Sequence, residues 1–367
     1  MKECVLKMKT KIALFTANVQ GGILQLTLQL YKTLIEEGYD VKVVMPYEVH
    51  DIDISVIANS DFLQYHKEKK VINQTPYKTL ATRINEIHPQ YVWYMDDSVI
   101  CSNVGLHINS EIKQLLTIHD AGTYHPTNRK SIRDMLLRKY TAIINSFFYK
   151  KVYRFILLSS ESFEIFSNLF LAYKEKAVKL TLGAHVPEVE ESKPPEIAVE
   201  KDFLLFFGRI DKYKGIERLL KAYRNVSRNA LPLVIAGGGQ FTDTESLLIK
   251  SCNNLTVINR YIGDGEMKWL FKHMTAAVLP YIEATQSGII PIAYLFGKPV
   301  IVSNVPGLTQ FVIDGETGRI CGTQEELEKA FIQIDSEITI ECINKIKNYY
   351  AKNMYWNKNV RELFEKL

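Results

Sequence analysis

Cysteine is scarce in this chain and poorly placed for structural use. The 367 residues hold five, Cys4, Cys101, Cys252, Cys321 and Cys342, an odd number and widely scattered, with no C-x-x-C pair. That argues against a disulfide framework or a zinc site and fits a reducing cytoplasm. No apolar run approaches the roughly 20 residues that a membrane span needs. The short charged start leads straight into Lys11-Ile12-Ala13-Leu14-Phe15, without the pattern of a signal peptide. A net charge of +4 is too small to imply a nucleic-acid partner. No G-x-G-x-x-G fingerprint follows the first strand, which counts against a dinucleotide cofactor. A soluble, cytoplasmic protein without bound nucleic acid is the expectation.

What the chain does have is enough length for two domains of ordinary size, each with its own core. The stretch most rich in signals runs from Val278 to Gly318. The apolar run Ala276 to Leu279 ends at Pro280, and a polar loop follows with Glu283, Thr285, Gln286, Ser287 and Gly288. An apolar segment of helix length (Ile289 to Phe296), Gly297 and the β-branched run Pro299 to Val302 complete a βαβ unit. Its loop stands at the carboxyl end of a strand and the amino end of a helix, where open α/β sheets bind ligands and where backbone N–H groups attract anions. A phosphate is the expected guest of Ser287 and Gly288.

The first half opens on the same theme. Strand, loop and helix follow one another, with Gly21 and Gly22 in the loop and Ile23, Leu26, Leu30 and Leu34 at helical spacing. The paired glycines mark either a close approach to a ligand or a tight turn. Asp96 and Asp97 follow the strand Tyr91 to Met95 and are either metal ligands or a solvated strand-end pair. The run Gln114 to Ile118 delivers His119 to the ligand-binding edge of the sheet, as a proton-transfer or sugar-hydroxyl contact or as a structural cap. Residues 129–154 hold eight Lys or Arg against one acid, Asp134, interleaved with Met, Leu, Ile, Phe and Tyr. Such a helix either lies on an anionic membrane surface or buries its apolar face under snorkelling lysines. A proline- and acid-rich stretch at 187–200 is the expected linker. It separates a first domain (1–186) from a second (201–349). Arg209 and Lys214 then bracket a short strand-to-helix loop, as a diphosphate-binding pair or as two solvated cations. A further loop of glycines follows at 237–239.

Taken together, G-R-x-x-x-x-K-G at 208–215, A-G-G-G at 236–239, L-P-Y-x-E-A-T-Q-S-G at 279–288 with its continuation to Ile301, and D-G-E-T-G at 314–318 resemble the retaining glycosyltransferases of family 4. The likeness is to the subset with an A-T-Q-S-G donor-phosphate loop. It implies the α/β GT-B fold, two Rossmann-like domains facing each other across a cleft, with a C-terminal helix at about 350–367 crossing back to the first domain. It implies a nucleotide-diphosphate sugar as donor, a saccharide or lipid-linked glycan as acceptor, and neither metal nor cofactor, because fixed cations stabilise the leaving group. On the same basis Arg209 and Lys214 bind the diphosphate, Ser287, Gly288 and Ile289 hold the distal phosphate, and Thr285 and Gln286 belong to the same donor loop. Gly239, Tyr261 and Ile262 lie near the base, His119 and Glu283 near the donor sugar, and Gly21 and Gly22 near the phosphates and acceptor.

One feature departs from the family. Two glutamates eight positions apart are common there, and this chain has Ala284 and Ile292 at the matching positions, with Glu283 one residue out of register. A nucleotide-sugar epimerase on the same fold, using Asp96, Asp97 or Asp120, and a silent nucleotide- or sugar-binding partner subunit are the other readings.

Overall fold

The computed structural model describes residues 9–19, 21–49, 54–67, 72–119, 121, 132–186 and 188–367. They form two units. The first comprises the chain up to Leu158 together with Ser162–Leu180 and Val360–Leu367, and the second comprises Ser159–Glu161 and Thr181–Asn359.

In the first unit the elements run β1 (Lys11–Phe15), α1 (Gly22–Glu36), β2 (Asp40–Pro46), β3 (Phe62–Tyr65), α2 (Thr75–Glu86), β4 (Tyr91–Tyr94), α3 (Val99–Gly105), β5 (Lys113–Ile118), α4 (Ile132–Lys151), β6 (Arg154–Leu157), α5 (Ser160–Leu169) and β7 (Ala177–Lys179). The strands make one sheet in the order β3-β2-β1-β4-β5-β6-β7, parallel throughout, with Ile12 paired to Val41 on one side and to Tyr91 on the other. Ile12, Ala13, Leu14 and Phe15 are wholly buried. That is why β1 reads as an unbroken apolar run rather than an alternating one, since a parallel sheet is covered on both faces.

The second unit continues with β8 (Leu204–Phe207), α6 (Ile216–Val226), β9 (Leu233–Ala236), α7 (Asp243–Ser251), β10 (Leu255–Ile258), α8 (Asp264–His273), β11 (Ala276–Leu279), α9 (Ile289–Leu295), β12 (Val300–Ser303), α10 (Pro306–Thr309), β13 (Gly318–Cys321), α11 (Gln324–Glu337), α12 (Ile340–Asn353) and α13 (Trp356–Phe364). Its six strands lie in the order β10-β9-β8-β11-β12-β13, also parallel. Both halves are therefore doubly wound Rossmann-like sheets, the architecture expected of a GT-B chain.

Helix α5 stops at Leu169 and gives way to a 3-10 turn over Leu171–Lys176. Two expectations change. The stretch expected as a linker belongs to the second unit from residue 188 onward. Arg260 reaches Glu196 at 2.8 Å and Glu266 at 2.7 Å, Lys272 reaches Glu191 at 2.9 Å, and Ile197 is buried. Its acids, which signal solvent in sequence, are counter-ions to bases on and beside α8. Finally, the basic stretch forms α4 over Ile132–Lys151, and residues 129–131 lie outside the described part. Its inner face carries the buried Phe148 and Tyr149, but its outer face is apolar too: Met135, Leu136, Ile143 and Phe147 are all more than half exposed. No helix among the described residues is long and apolar enough to cross a membrane.

Candidate functional site

In the second sheet β8 lies between β9 and β11, so the crossovers leave it in opposite directions. The crevice beyond the carboxyl ends of β8 and β11 is then the topological switch point, the place where such sheets bind ligands. Two loops meet there: residues 208–215 after β8 and residues 280–288 after β11. The Ile282 N–H donates to the Tyr213 carbonyl at 2.8 Å and ties them together. Gly215 completes the junction with a left-handed φ of 68°, and a Cβ there would collide with the Pro280 carbonyl oxygen. Glycine is required twice over at this point.

The junction places Lys214 between two aromatic rings. Its ammonium stands 3.8 Å from the centroid of Tyr281 and 5.0 Å from that of Tyr213. Burial alone would lower the lysine pKa, but the phenols of Tyr281 and Tyr213 outweigh it and the net shift is upward. Arg209, on the same loop, is different in kind. Its side chain is 71% exposed and lies 3.5 Å from the Asp211 carboxylate. One cation is thus half-buried and held by rings, the other solvent-exposed beside a carboxylate.

Across the junction, Thr285 and Ser287 are buried, while Glu283 and Gly288 are exposed. Gly307, at the start of α10, presses so close to Ala284 that a Cβ would strike its carbonyl oxygen, which fixes the loop from behind. The Ser287 hydroxyl accepts from the Ile289 N–H at 3.3 Å, so that amide is partly committed within the loop. Neither φ (−71°) nor packing demands glycine at Gly288, since a Cβ there meets nothing within 4 Å. Two buried polar atoms on this loop, Tyr281 Oη and Gln286 Oε1, have no hydrogen-bond partner among the described residues.

Gly239 borders the same crevice. Its φ of 154° and its contact with the Ile210 backbone exclude a side chain, and its N–H donates to Asn259 Oδ1 at 3.1 Å. Tyr261 is 43% exposed, whereas Ile262 is buried in the core of the unit, so its side chain is committed to packing. Ile292, at the place of the expected ribose-binding glutamate, also packs against that core.

The first unit has its own switch point between β1 and β4. Gly21 precedes α1 with a φ of 82°, while Gly22 has no such requirement, and a Cβ at either would meet nothing within 4 Å. His119 follows β5 and its Nε2 lies 2.7 Å from the Met95 carbonyl oxygen. A carbonyl can only accept, so Nε2 carries the proton. Asp96 is buried and fully engaged: it accepts from Asn18 Nδ2 at 2.6 Å, from the Ser98 N–H at 2.9 Å and from the Ala17 N–H at 3.4 Å, with Cys101 Sγ at 3.4 Å. It is a brace between the two loops rather than a solvated pair with Asp97. Asp120 lies outside the described residues. Among the described residues no group of three or more His, Cys, Asp or Glu could hold a metal ion.

The second unit thus gathers Arg209, Lys214, Gly239, Tyr261 and the loop 283–289 at one sheet edge, and the first unit carries Gly21, Gly22 and His119. The rings of Tyr213 and Tyr281 went unnoticed in the sequence, because an aromatic beside an apolar strand reads as core. Residues 188–352 match the family model described as "Glycosyl transferases group 1". An uncharacterized glycosyltransferase of Methanocaldococcus jannaschii is 27% identical over 193 residues, 48% of either chain, so this chain spans about half the length of that relative. Among solved structures, a glycosyltransferase from Rickettsia africae has a TM-score of 0.70 at 16% identity, over 98% of this chain and 97% of that one. Anabaena HepE in complex with UDP-glucose has 0.71 at 12% identity, over 97% and 100%. At these identities the structures speak for the fold, which is the GT-B fold.

Proposed function

We propose that this chain is a retaining, metal-independent glycosyltransferase of the hexosyltransferase type. It moves a sugar from a nucleotide-diphosphate sugar to a saccharide or lipid-linked glycan in the synthesis of a polysaccharide or glycoconjugate. The observation that carries the reading is Lys214, a cation fixed at the switch point without a carboxylate partner among the described residues. When the bond from the anomeric carbon to the diphosphate oxygen breaks, negative charge grows on the diphosphate. A preorganised ammonium stabilises it without the help of a metal. Arg209 supplies a second, exposed cation once the anion displaces it from Asp211. Gly288, glycine without an internal reason, leaves room for a phosphate to come against the backbone of the donor loop. The acceptor hydroxyl attacks on the face the diphosphate leaves, and its proton passes to the departing oxygen, which retains the anomeric configuration. The epimerase reading needs a free carboxylate in the first unit; of its candidates Asp96 is already engaged four times over, Asp120 lies outside the described residues, and Asp97 is the one left to test.

The test is nucleotide release from a panel of nucleotide sugars, with and without saccharide and lipid-linked acceptors. Turnover with at least one donor is expected. Nucleotide binding without turnover on any donor would leave only the silent-subunit reading. In the active pair, Lys214→Ala is expected to lower kcat by about a hundredfold or more, the usual cost of removing one preorganised charge stabiliser. A near-normal rate would remove Lys214 from the mechanism.

A further inference from the structure

The Lys214 ammonium stands against two ring faces rather than against a carboxylate. We infer that Tyr281, seconded by Tyr213, is a positioning residue that holds the Lys214 ammonium at the switch point with its charge uncompensated. The inference rests on the reading of Lys214 as a diphosphate ligand. Tyr281 is 1% exposed and cannot move without disturbing the core. Its ring lies 6.3 Å from that of Tyr213 at an interplanar angle of 70°, so the two form a corner into which the lysine points. A ring face attracts a cation through its quadrupole yet carries no formal charge, and the attraction grows when water is excluded. Neighbouring cations show the alternative: Arg209 on the same loop is drawn to Asp211, and Lys221 on α6 is paired with Glu217 at 2.6 Å. A carboxylate under Lys214 would have to be displaced by every incoming diphosphate, whereas a ring need not be.

The arrangement also has a titration signature. The groups acting on the ammonium are Tyr281 and Tyr213, with burial opposing them. Arg209 and Asp211 on the same loop pair with each other, and Glu283 on the facing loop is exposed. Take away the Tyr281 phenol and burial remains. The lysine then loses its proton at lower pH, and diphosphate affinity falls earlier on the alkaline side.

The experiment measures the affinity of the full chain for UDP, GDP and ADP by calorimetry as a function of pH, and takes the best-bound of the three as probe. Tyr281→Leu is expected to weaken that probe about tenfold near neutral pH and to move the alkaline limb to lower pH. Tyr281→Phe, which keeps the ring but not the phenol oxygen, should restore the affinity near neutral pH to within about twofold, while its alkaline limb stays at the lower pH. Unchanged affinity near neutral pH in Tyr281→Leu would overturn the inference, and so would equal losses of that affinity in the two variants, which would transfer the effect to the hydroxyl. Should Tyr281→Leu fail to fold, Tyr213→Leu is read in the same way, with a smaller loss expected and no loss being fatal. Lys214→Ala separates the two levels of argument. Intact diphosphate binding there sinks the diphosphate reading itself, whereas lost binding beside an unaffected Tyr281→Leu sinks only the positioning role.

Discussion

A methyl group added at Gly215 would run into the Pro280 carbonyl oxygen, on a backbone whose φ of 68° already disfavours any side chain. The left-handed conformation costs an L-residue about 1–2 kcal/mol, and the collision must be relieved by parting the two loops of the switch point. Gly215→Ala is therefore expected to destabilise the protein by about 2–4 kcal/mol, read as a fall in denaturation midpoint. Nucleotide affinity should fall further than the midpoint predicts, because the residue that moves with Gly215 is Lys214. A variant with unchanged midpoint and affinity would mean that the junction relaxes freely. Lys214 and Gly215 were legible because charge and glycine in a strand-to-helix loop are rare signals with few meanings. Tyr281 was not, since nothing in a sequence tells a ring that supports a cation from one that fills a core. Asp96 was misjudged for a related reason: its partners Asn18 and Cys101 come from other segments, and no spacing rule reaches them.

At the scale of the element, the strand–loop–helix–strand order around β11 and α9 was readable within a residue or two, since apolar runs buried on both faces have a distinct pattern. The stretch 188–200 was not readable, because acid-rich sequence looks solvated until Arg260 and Lys272 are placed against it. Helix α4 lies between these cases. Its charge was plain, but which apolar residues face outward needed the fold. Met135, Ile143 and Phe147 follow at spacings of eight and four, with Lys139 between the first two, so one outward stripe is both apolar and basic. Lys150 stands 5.7 Å from the Phe147 ring, whereas Lys151 is tied to the Leu106 carbonyl at 2.6 Å and serves the fold. An outward apolar stripe flanked by lysines suits an anionic lipid surface, and under the proposed function such docking would bring the protein to a lipid-linked acceptor. Reversing charge at Lys139 and Lys150 removes roughly 1 kcal/mol of attraction per basic residue and adds repulsion. Co-sedimentation with phosphatidylglycerol vesicles should then fall at least about tenfold, while binding to neutral vesicles stays low throughout. Wild-type protein that ignores anionic vesicles would end the membrane reading and leave the stripe to a protein partner.

For the whole molecule the sequence foresaw two α/β halves, and the reason is repetition: the same strand-to-helix transition recurs with glycines at its loops, once per half. The C-terminal helix expected at about 350–367 is instead the end of α12, at Asn353, followed by α13 from Trp356, and of that stretch Val360–Leu367 belong to the first unit. The helix α13 begins among residues of the second unit and ends among those of the first. There the Phe364 ring lies 4.6 Å from Tyr39, 5.6 Å from Tyr91 and 6.0 Å from Trp93, centroid to centroid, and Val360 and Leu363 are buried. Arg361 pairs with Glu37 at 3.1 Å, and the Leu367 main-chain oxygen accepts from Tyr153 and Lys113. The ion pair is too exposed to contribute much. The rings are another matter, since burying a side chain of this size is worth about 1.5–3 kcal/mol. Deleting residues 360–367 strips an apolar cover from β2, β4 and their neighbours, so the first unit should melt several degrees earlier and bind a hydrophobic dye below its midpoint. Phe364→Ala should reproduce much of that loss through one side chain, by about 2–4 kcal/mol, while Arg361→Ala should cost less than about 1 kcal/mol. The reverse order would mean that charge, not ring packing, fastens the end of the chain.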